Sequence, residues 1–346
     1  MPEVAIALSG GVDSSVAAAL LAESGRDVFG VTMRLGLAEM GGRPCCGEEE
    51  VLLARRVCAT LGIPHVVIDI AEEFRAGVVE PFCQAYAQGV TPNPCVWCNE
   101  RIKFGSFAER VRRLGATTLA TGHYAQLVSE DDGVWLERAR DGAKDQSYFL
   151  YRIPEDVLRM LEFPVGGLLK TDVRRMAETR GLPTAARRES QEVCFTDDHV
   201  ALVEAAQPGA NAPGPIEDSD GVALGIHHGI ARYTVGQRKG LGIGGSDGPY
   251  RVVRIDAARR AVIVAPEAAA VQSEVELVEA VWRLPARPTP VLAQVRYRTR
   301  PVSAVAEPTD SGLHVTFERA TSVLAPGQSL VLYAGDRVVG GGIITH

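Results

Sequence analysis

The chain has 346 residues, of which 46% are hydrophobic and 23% charged, and its formal net charge is −7. This balance is typical of a soluble globular protein, and the length favours two or three domains because one hydrophobic core seldom serves so long a chain. No segment approaches the roughly 20 consecutive apolar residues of a membrane-spanning helix, and the first residues read as a buried strand rather than a secretory signal. We therefore expect a cytoplasmic protein with no membrane partner. The acidic total does not exclude nucleic acid, because phosphate contact requires only a local basic surface.

The first part of the chain alternates strand-like apolar runs with helical patterns. Strands are predicted at 4–8, 27–33 and 65–70, and helical periodicity fills the segments between them. This alternation predicts an α/β fold with a parallel sheet that helices cover on both faces. We place this first domain at residues 1–207.

The texture of the sequence changes after residue 207. The segment 208–215 reads PGANAPGP, which is typical of a linker. Short alternating segments follow, separated by turn residues, and they predict small antiparallel β domains or barrels. We place a small central β domain at 208–272 and a C-terminal β-barrel at 273–346.

A glycine-rich loop separates the first strand from the first helix. It reads SGGVDSS from Ser9 to Ser15. The glycines allow a sharp turn that points several N–H groups at one place, and the helix adds its positive N-terminal end, so the loop suits a phosphate or pyrophosphate. Asp13 is a candidate for orienting the loop or for holding Mg²⁺. A plain strand–helix turn is the less favoured alternative, because two glycines at a helix entrance usually mark close ligand approach.

A second motif reads TPNPCVWCN from Thr91 to Asn99. Asn93 is a candidate N-cap and Pro94 a candidate first helical residue, which would place Cys95 and Cys98 on one face of a helix. A helix N-terminus lowers thiol pKa values, so we expect thiolates, the form that acts as nucleophile or metal ligand. The C-x-x-C spacing alone is consistent with redox chemistry, a zinc or iron–sulfur site, or no chemical role.

The remaining cysteines carry weaker signals. The total of seven is odd, which argues against a disulfide framework in a chain expected to be cytosolic. Cys58 is best interpreted as a small buried hydrophobic residue. Cys194, in the segment SQEVCF, is by spacing alone more typical of a core position than of a catalyst. His123, at the end of a predicted strand, is more often a hydrogen-bonded structural residue than a general base.

Together these motifs resemble those of the tRNA-specific 2-thiouridylases, which are PP-loop ATP pyrophosphatases. The resemblance runs along essentially the whole chain and rests on the segments ALSGGVDSS, TPNPCVWCNERIKF, ATGHYA, KDQSYFLY, SQEVCF, YTVGQRKGLGIGG, VRYR and GGGII, in that order. It implies an N-terminal domain similar to the adenine nucleotide alpha hydrolases. It also implies that ATP adenylates the C2 oxygen of the wobble uridine in tRNA and releases pyrophosphate, after which sulfur displaces AMP at C2. The target base would have to leave its stack to reach the site.

The resemblance implies roles for individual residues. The implied ATP-binding residues are Ala7, Leu8, Ser9, Gly10, Gly11, Val12, Asp13, Ser14, Met33 and Gly122. The implied catalytic residues are Cys98 as the nucleophile, Cys194 as the carrier of persulfide sulfur, and Asp13. The residues implied to contact tRNA or its target base are Asn93, Pro94, Cys95, Lys144, Asp145, Gln146, Arg296 and Tyr297.

One position departs from the family pattern. Well-known members carry Asp where this chain has Cys95, so Cys95, Cys98 and Cys194 offer three thiols. Three thiolates could hold a [4Fe–4S] cluster with one open iron, and we favour this interpretation slightly because a third thiol has no role in a simple persulfide route. In that alternative, Cys194 carries the sulfane sulfur and Cys98 resolves it. The pair Cys45 and Cys46 could relay sulfur or be inert. Either route needs a persulfide or sulfide donor protein or pathway.

Two other classes of function are considered. One is a PP-loop ligase or amidotransferase that adenylates a small carboxylate or amide, and the cysteines together with two extra β domains argue against it. The other is a sulfur carrier or RNA-binding protein with a degenerate ATP site, and the intact SGGVDSS loop argues against that.

Overall fold

The computed structural model describes residues 3–36, 47–187, 193–243 and 249–345. The chain divides into two compact units. The first consists of Met1–Gly77, Cys95–Asp197 and Asp336–Val338, and the second of Val78–Pro94, Asp198–Gly335 and Val339–His346. The segment Val78–Pro94 therefore packs with the later part of the chain, although it lies within the first predicted domain.

A five-stranded parallel sheet forms the centre of the first unit, in the order β3–β2–β1–β4–β7. Its strands are β1 (Val4–Ala7), β2 (Val28–Arg34), β3 (His65–Asp69), β4 (Thr118–Thr121) and β7 (Leu161–Glu162). An antiparallel hairpin, β5 (Gln126–Glu130) and β6 (Gly133–Glu137), follows β4. The sequence prediction of strands at 4–8, 27–33 and 65–70 is confirmed to within a residue or so at each end. Val4, Ala5 and Ile6 have no exposed surface, which is typical of a parallel strand covered on both faces.

The helices follow from the apolar periodicity between the strands. They are α1 (Val12–Glu23), α2 (Glu48–Leu61), α3 (Ala71–Phe74), α4 (Glu80–Ala87), α5 (Pro94–Trp97), α6 (Phe107–Arg113), α7 (Glu155–Leu158), α8 (Lys170–Thr179) and α9 (His199–Ala206). In α1 the residues Val16 to Ala19 are completely buried, and three of the four are alanines whose small side chains let the helix lie close to its neighbours. A π-helical segment, Cys98–Ser106, joins α5 to α6.

The second unit contains two β structures. A four-stranded sheet consists of β8 (Gly214–Glu217), β9 (Ala223–His227), β10 (Tyr250–Asp256) and β11 (Ala261–Pro266). The later strands are β12 (Val271–Trp282), β13 (Thr289–Gln294), β14 (Val302–Thr309), β15 (Gly312–Ser322), β16 (Ser329–Ala334) and β17 (Arg337–Ile344). Because β12 pairs with both β15 and β17, these six strands close into a barrel. The predicted fold class, an α/β domain followed by two small β domains of which the last is a barrel, is confirmed.

The segment that precedes the C-x-x-C motif is hydrogen-bonded to the barrel within the second unit. Gln328 donates from Nε2 to the carbonyl oxygens of Thr91 and Pro92, at 3.0 Å each. The amide of Thr91 donates to the carbonyl of Pro326 at 3.1 Å. Gly327 lies between these anchors with a φ of +86°.

We expect Gly327→Ala to destabilise the protein more than Gly335→Ala. Both glycines have positive φ, which costs an alanine about 1 kcal/mol. At Gly327 a Cβ atom would also lie 2.3 Å from Val90 and 2.9 Å from the Thr91 carbonyl, whereas at Gly335 it would meet open space. The difference in unfolding free energy, measured by urea denaturation, should be about 2 kcal/mol. Equal losses in the two variants would contradict the described anchoring of Thr91.

Candidate active site

A cavity of about 240 Å³ lies at the carboxyl ends of β1, β2 and β4. Eight of the ten residues implied to bind ATP line it, namely Ala7, Leu8, Ser9, Gly11, Asp13, Ser14, Met33 and Gly122. The other two, Gly10 and Val12, are not among the lining residues. Val12 is buried in the core, and the carbonyl of Gly10 accepts a hydrogen bond from Arg187. The edge of a parallel sheet where strands end is where such folds commonly bind ligands.

The glycine-rich loop is held by its own hydroxyl groups. Oγ of Ser14 and Oγ of Ser15 both donate to the carbonyl of Gly11, at 3.1 and 2.8 Å. The amide of Ser9 donates to Oγ of Ser14 at 3.3 Å. The first amide groups of α1 have no carbonyl partner within their helix, so the loop presents a fixed positive end to the cavity.

Gly122 brings the end of β4 directly against this helix end. A Cβ atom at Gly122 would lie 2.6 Å from the backbone nitrogen of Ser14 and 2.8 Å from the carbonyl carbon of Asp13. Only a residue without a side chain permits this approach. The close approach of Gly122 places the next residue, His123, beside the first turn of α1.

Asp13, which is half-buried, forms an ion pair with the buried Lys170 within the first unit. Its carboxylate lies 2.5 and 2.7 Å from Nζ of Lys170 and accepts a hydrogen bond from the Tyr124 hydroxyl at 2.8 Å. Lys170 is the first residue of α8 and is 7% exposed, and its ammonium also lies over the Tyr124 ring. Asp13 therefore ties the loop to β4 and α8, and any contact with Mg²⁺ has to compete with an ammonium group.

A second polar group lies at the end of β4. Lys103, from the π-helical segment, and His123 both line the cavity, with Nζ of Lys103 3.5 Å from Nε2 of His123. Nδ1 of His123 lies 2.7 Å from Oγ1 of Thr121. His123 is thus the hydrogen-bonded strand-end histidine that the sequence leads us to expect.

The three cysteines differ in their surroundings. Cys98 is buried, Cys95 is half-buried and Cys194 is exposed. The pKa of Cys95 is raised to about 11, mainly by burial and secondarily by the nearby Cys194, while the charge of Lys103 opposes this increase. The expectation that the helix start would favour a thiolate at Cys95 is therefore wrong, because loss of hydration outweighs a four-residue helix. Cys194 and Lys103 each lie within electrostatic range of Cys95.

Among the described residues, no three His, Cys, Asp or Glu side chains are arranged to hold a metal ion. Cys95, Cys98 and Cys194 all belong to this part of the chain. As they stand, their thiols do not form a ligand set for the expected [4Fe–4S] cluster.

The segment Lys144 to Gln146 was implied to contact tRNA. Asp145 is 7% exposed, and its carboxylate accepts hydrogen bonds from Arg138, the amides of Ala139 and Ser147, and the Ser147 hydroxyl. Gln146 lines the ATP cavity, and its Oε1 accepts from the Tyr124 amide at 2.9 Å. Gln146 thus forms part of the cavity wall, Asp145 is held in a buried hydrogen-bond network, and Lys144 is half-buried.

The second implied tRNA segment lies at the end of β13. Arg296 donates to the carbonyl of Val235 at 3.2 Å, and its own carbonyl accepts from Thr299 at 2.7 Å. The guanidinium of Arg298 lies over the Tyr297 ring, 5.2 Å from the centroid. Of the other candidates, Asn93 is half-buried and Pro94 is buried. Cys45, Cys46 and residues 190–192 of the SQEVCF segment lie outside the described residues.

Comparison with known proteins gives consistent matches along the whole chain. Family models described as a tRNA methyl transferase HUP domain, a tRNA methyl transferase PRC-barrel domain and an aminomethyltransferase β-barrel domain match residues 2–198, 206–266 and 273–344. The tRNA-specific 2-thiouridylase MnmA of Chloroflexus aurantiacus is 46% identical over 359 residues, covering 100% of this chain and 99% of the relative. Proteins of the same name from a Roseiflexus species and from Acidithiobacillus ferrooxidans are each 44% identical, covering 100% and 98% of this chain and 100% and 97% of the relative.

The chain belongs to the tRNA-specific 2-thiouridylase family. Within the part of the chain that the structure describes, no helix combines the length and apolar character that a membrane span requires.

Two residues of this thiouridylase site were missed by sequence reasoning, Lys103 and Lys170. A signal for both was present in the composition. Of the 36 lysines and arginines in the chain, only four are lysines, at positions 103, 144, 170 and 239. Arginine occupies almost every basic position in this chain. A lysine therefore indicates a site that suits a compact ammonium better than a planar guanidinium.

We expect Lys170→Met to lower the unfolding free energy by about 2–3 kcal/mol, because Asp13 would keep its charge and lose its main partner. Methionine preserves the packing of the aliphatic stem. Arg175→Met on the same helix is the matched control. The side chain of Arg175 is 74% exposed and that of its partner Asp172 is 34% exposed, so the loss should stay below about 0.5 kcal/mol. Urea denaturation measures both, and similar losses would show that the Asp13–Lys170 pair stabilises nothing.

Proposed function

We propose that this protein converts the C2 carbonyl of the wobble uridine in tRNA to a thiocarbonyl, and that it uses ATP to activate the oxygen. Membership of the 2-thiouridylase family along the full chain carries this proposal. The cavity built from the SGGVDSS loop supports the first half of the reaction, and the exposed thiol of Cys194, within electrostatic range of Cys95, supports the second.

The first half of the proposed reaction is adenylation. The C2 oxygen of uracil is a poor leaving group, so it attacks the α-phosphorus of ATP and pyrophosphate departs with the electron pair of the broken P–O bond. The loop and the N-terminus of α1 would bind the pyrophosphate. Mg²⁺ usually binds through substrate phosphates and one or two carboxylates, so we propose that it arrives with ATP and that Asp13 is its protein contact.

The second half transfers sulfur. Cys194 is exposed, as a residue that accepts sulfane sulfur from an external donor must be, and Cys98 is buried. The terminal sulfur of a Cys194 persulfide attacks C2, and AMP leaves with the former C2 oxygen. The thiolate of Cys98 then attacks Sγ of Cys194 and breaks the S–S bond, which leaves sulfur on the base and a Cys98–Cys194 disulfide. An external thiol reductant would restore the two cysteines.

We propose this persulfide route in place of the cluster, since the thiols as they stand do not form a ligand set. No step above passes through iron. Cys95 then has no redox role, and its high pKa keeps it a neutral thiol beside Cys194.

The overall proposal is tested by pyrophosphate release from ATP in the presence of different acceptors. We expect pyrophosphate release to require tRNA with an unmodified wobble uridine. Without a sulfur donor, release should stop after at most a single turnover, because AMP leaves only when sulfur attacks C2. Stimulation by a small carboxylate or amide in place of tRNA would identify another PP-loop adenylating enzyme. No release under any condition would favour an RNA-binding protein or sulfur carrier.

The sulfur route is tested by Cys95→Asp. We expect this variant to retain 2-thiolation from a persulfide donor, because the carboxylate common in relatives replaces a thiol that takes no part in sulfur transfer. Cys194→Ser should abolish thiolation while leaving a single turnover of tRNA-dependent pyrophosphate release. Thiolated wobble uridine is quantified by mass spectrometry of nucleosides, and iron is measured after anaerobic purification. Stoichiometric iron in the unmodified protein, lost together with activity in Cys95→Asp, would refute the persulfide route.

A further inference from the structure

Lys103 lines the cavity, but the reaction described above gives it no role. It belongs to the π-helical segment Cys98–Ser106, and its half-buried side chain reaches the cavity that the glycine-rich loop also lines. Among the described residues that line this cavity, Lys103 is the only lysine or arginine. It is also one of the four lysines in a chain that uses arginine elsewhere.

The contact between Lys103 and His123 defines the state of the imidazole. An ammonium group only donates hydrogen bonds, so Nε2 of His123, 3.5 Å away, must be the acceptor. The ring proton then lies on Nδ1 and is donated to Oγ1 of Thr121 at 2.7 Å. Burial, and secondarily the charge of Lys103, hold the pKa of His123 well below its ordinary value, so the ring is neutral.

The imidazole is also fixed by packing. The rings of Phe104 and Phe163 lie 5.7 and 5.9 Å from it, centroid to centroid, and both phenylalanines are buried. Nε2 of His123 is therefore an acceptor with a defined position and no charge. A contact of 3.5 Å is at the long end for a hydrogen bond, and such contacts often shorten when substrate binds.

Two positive groups converge on the same part of the cavity. One is the N-terminus of α1, which Gly122 touches, and the other is the ammonium of Lys103 beside His123. Two positive groups that face one cavity repel each other, and an anion bound between them offsets this repulsion. A neutral His123 holds the ammonium without adding a third positive charge.

We propose that Lys103 binds the α-phosphate of ATP, and later the phosphate of the adenylated base and of AMP, and that His123 is its positioning residue. The loop and the start of α1 suit the β- and γ-phosphates, and the apolar side chains of Val31, Met33 and Phe107 line the part that suits adenine. The α-phosphate joins these two parts of ATP. The assignment rests on the proposed use of ATP, but it does not depend on which acceptor is adenylated.

The assignment is tested by binding measurements on the full-length protein without tRNA. Lys103→Met should weaken the binding of AMP and of ATP about tenfold or more, because a charge-assisted hydrogen bond to the α-phosphate is lost. The binding of adenosine and of pyrophosphate, which lack this phosphate, should be unchanged. Lys239→Met, an exposed lysine of the second unit, is the matched control and should bind all four ligands like the unmodified protein. Isothermal titration calorimetry gives the dissociation constants.

The positioning role of His123 is tested by two further variants. His123→Gln keeps an acceptor near the position of Nε2 and should retain most of the AMP affinity. His123→Leu fits the same aromatic surroundings without an acceptor and should reproduce the pattern of Lys103→Met, with AMP weakened and adenosine unchanged. Thr121→Val, which removes the hydrogen-bond partner of Nδ1, should give a smaller loss of AMP affinity. This variant replaces His123→Leu as the test if His123→Leu does not fold.

Several results would overturn the assignment. Equal weakening of adenosine and AMP in Lys103→Met would indicate a damaged cavity, and weakening of pyrophosphate but not AMP would place Lys103 at the other phosphates. If the unmodified protein does not bind AMP, the proposed contact between Lys103 and the α-phosphate is ruled out. None of these results bears on whether tRNA is the acceptor, whereas loss of tRNA-dependent pyrophosphate release with normal AMP binding would count against the proposed function alone.

Discussion

The close packing of Gly122 against the first turn of α1 is the constraint on which the candidate site depends. An ideal Cβ atom at Gly122, just after β4, would lie only 2.6 Å from the backbone of α1, the helix into which the glycine-rich loop leads. Because of that approach, the residues after Gly122 face the loop: His123 reaches Lys103, and Tyr124 reaches Asp13. The sheet fixes the separation of β1 and β4, which are hydrogen-bonded neighbours, so the loop cannot move away from these groups without disrupting the core.

The charges around the loop are arranged in two different ways. Lys170 is paired with the carboxylate of Asp13 and stabilises the loop from behind. Lys103 contacts a neutral imidazole, and its ammonium lies at the same cavity as the helix N-terminus. A triphosphate is the kind of ligand that such a cavity suits. The same ammonium lies within electrostatic range of Cys95, and Cys95 lies within electrostatic range of Cys194, the proposed carrier of sulfur.

Local features of the structure could be predicted from sequence, and features set by distant residues could not. The strands, α1 and the glycine-rich loop follow from apolar periodicity and two glycines over about a dozen residues. The high pKa of Cys95 could not be predicted, because burial by the rest of the fold outweighs the short helix that contains the thiol. The partner of Asp13 is 157 residues away in sequence, and the packing of Val78–Pro94 with the second unit depends on a turn near Gln328. Lysine is sparse in this chain, and two of its four lysines, Lys103 and Lys170, lie at the candidate site.

The central claim is that the C2 oxygen of the wobble uridine is joined to AMP before sulfur replaces it. This is tested most directly with tRNA that carries a heavy oxygen isotope at C2 of that uridine, reacted with ATP and a persulfide donor. Mass spectrometry of the released nucleotide should then find the heavy oxygen in the phosphate of AMP, in the same amount as the 2-thiouridine formed. AMP without the heavy isotope, with the label released into water or retained in the tRNA, would contradict the account.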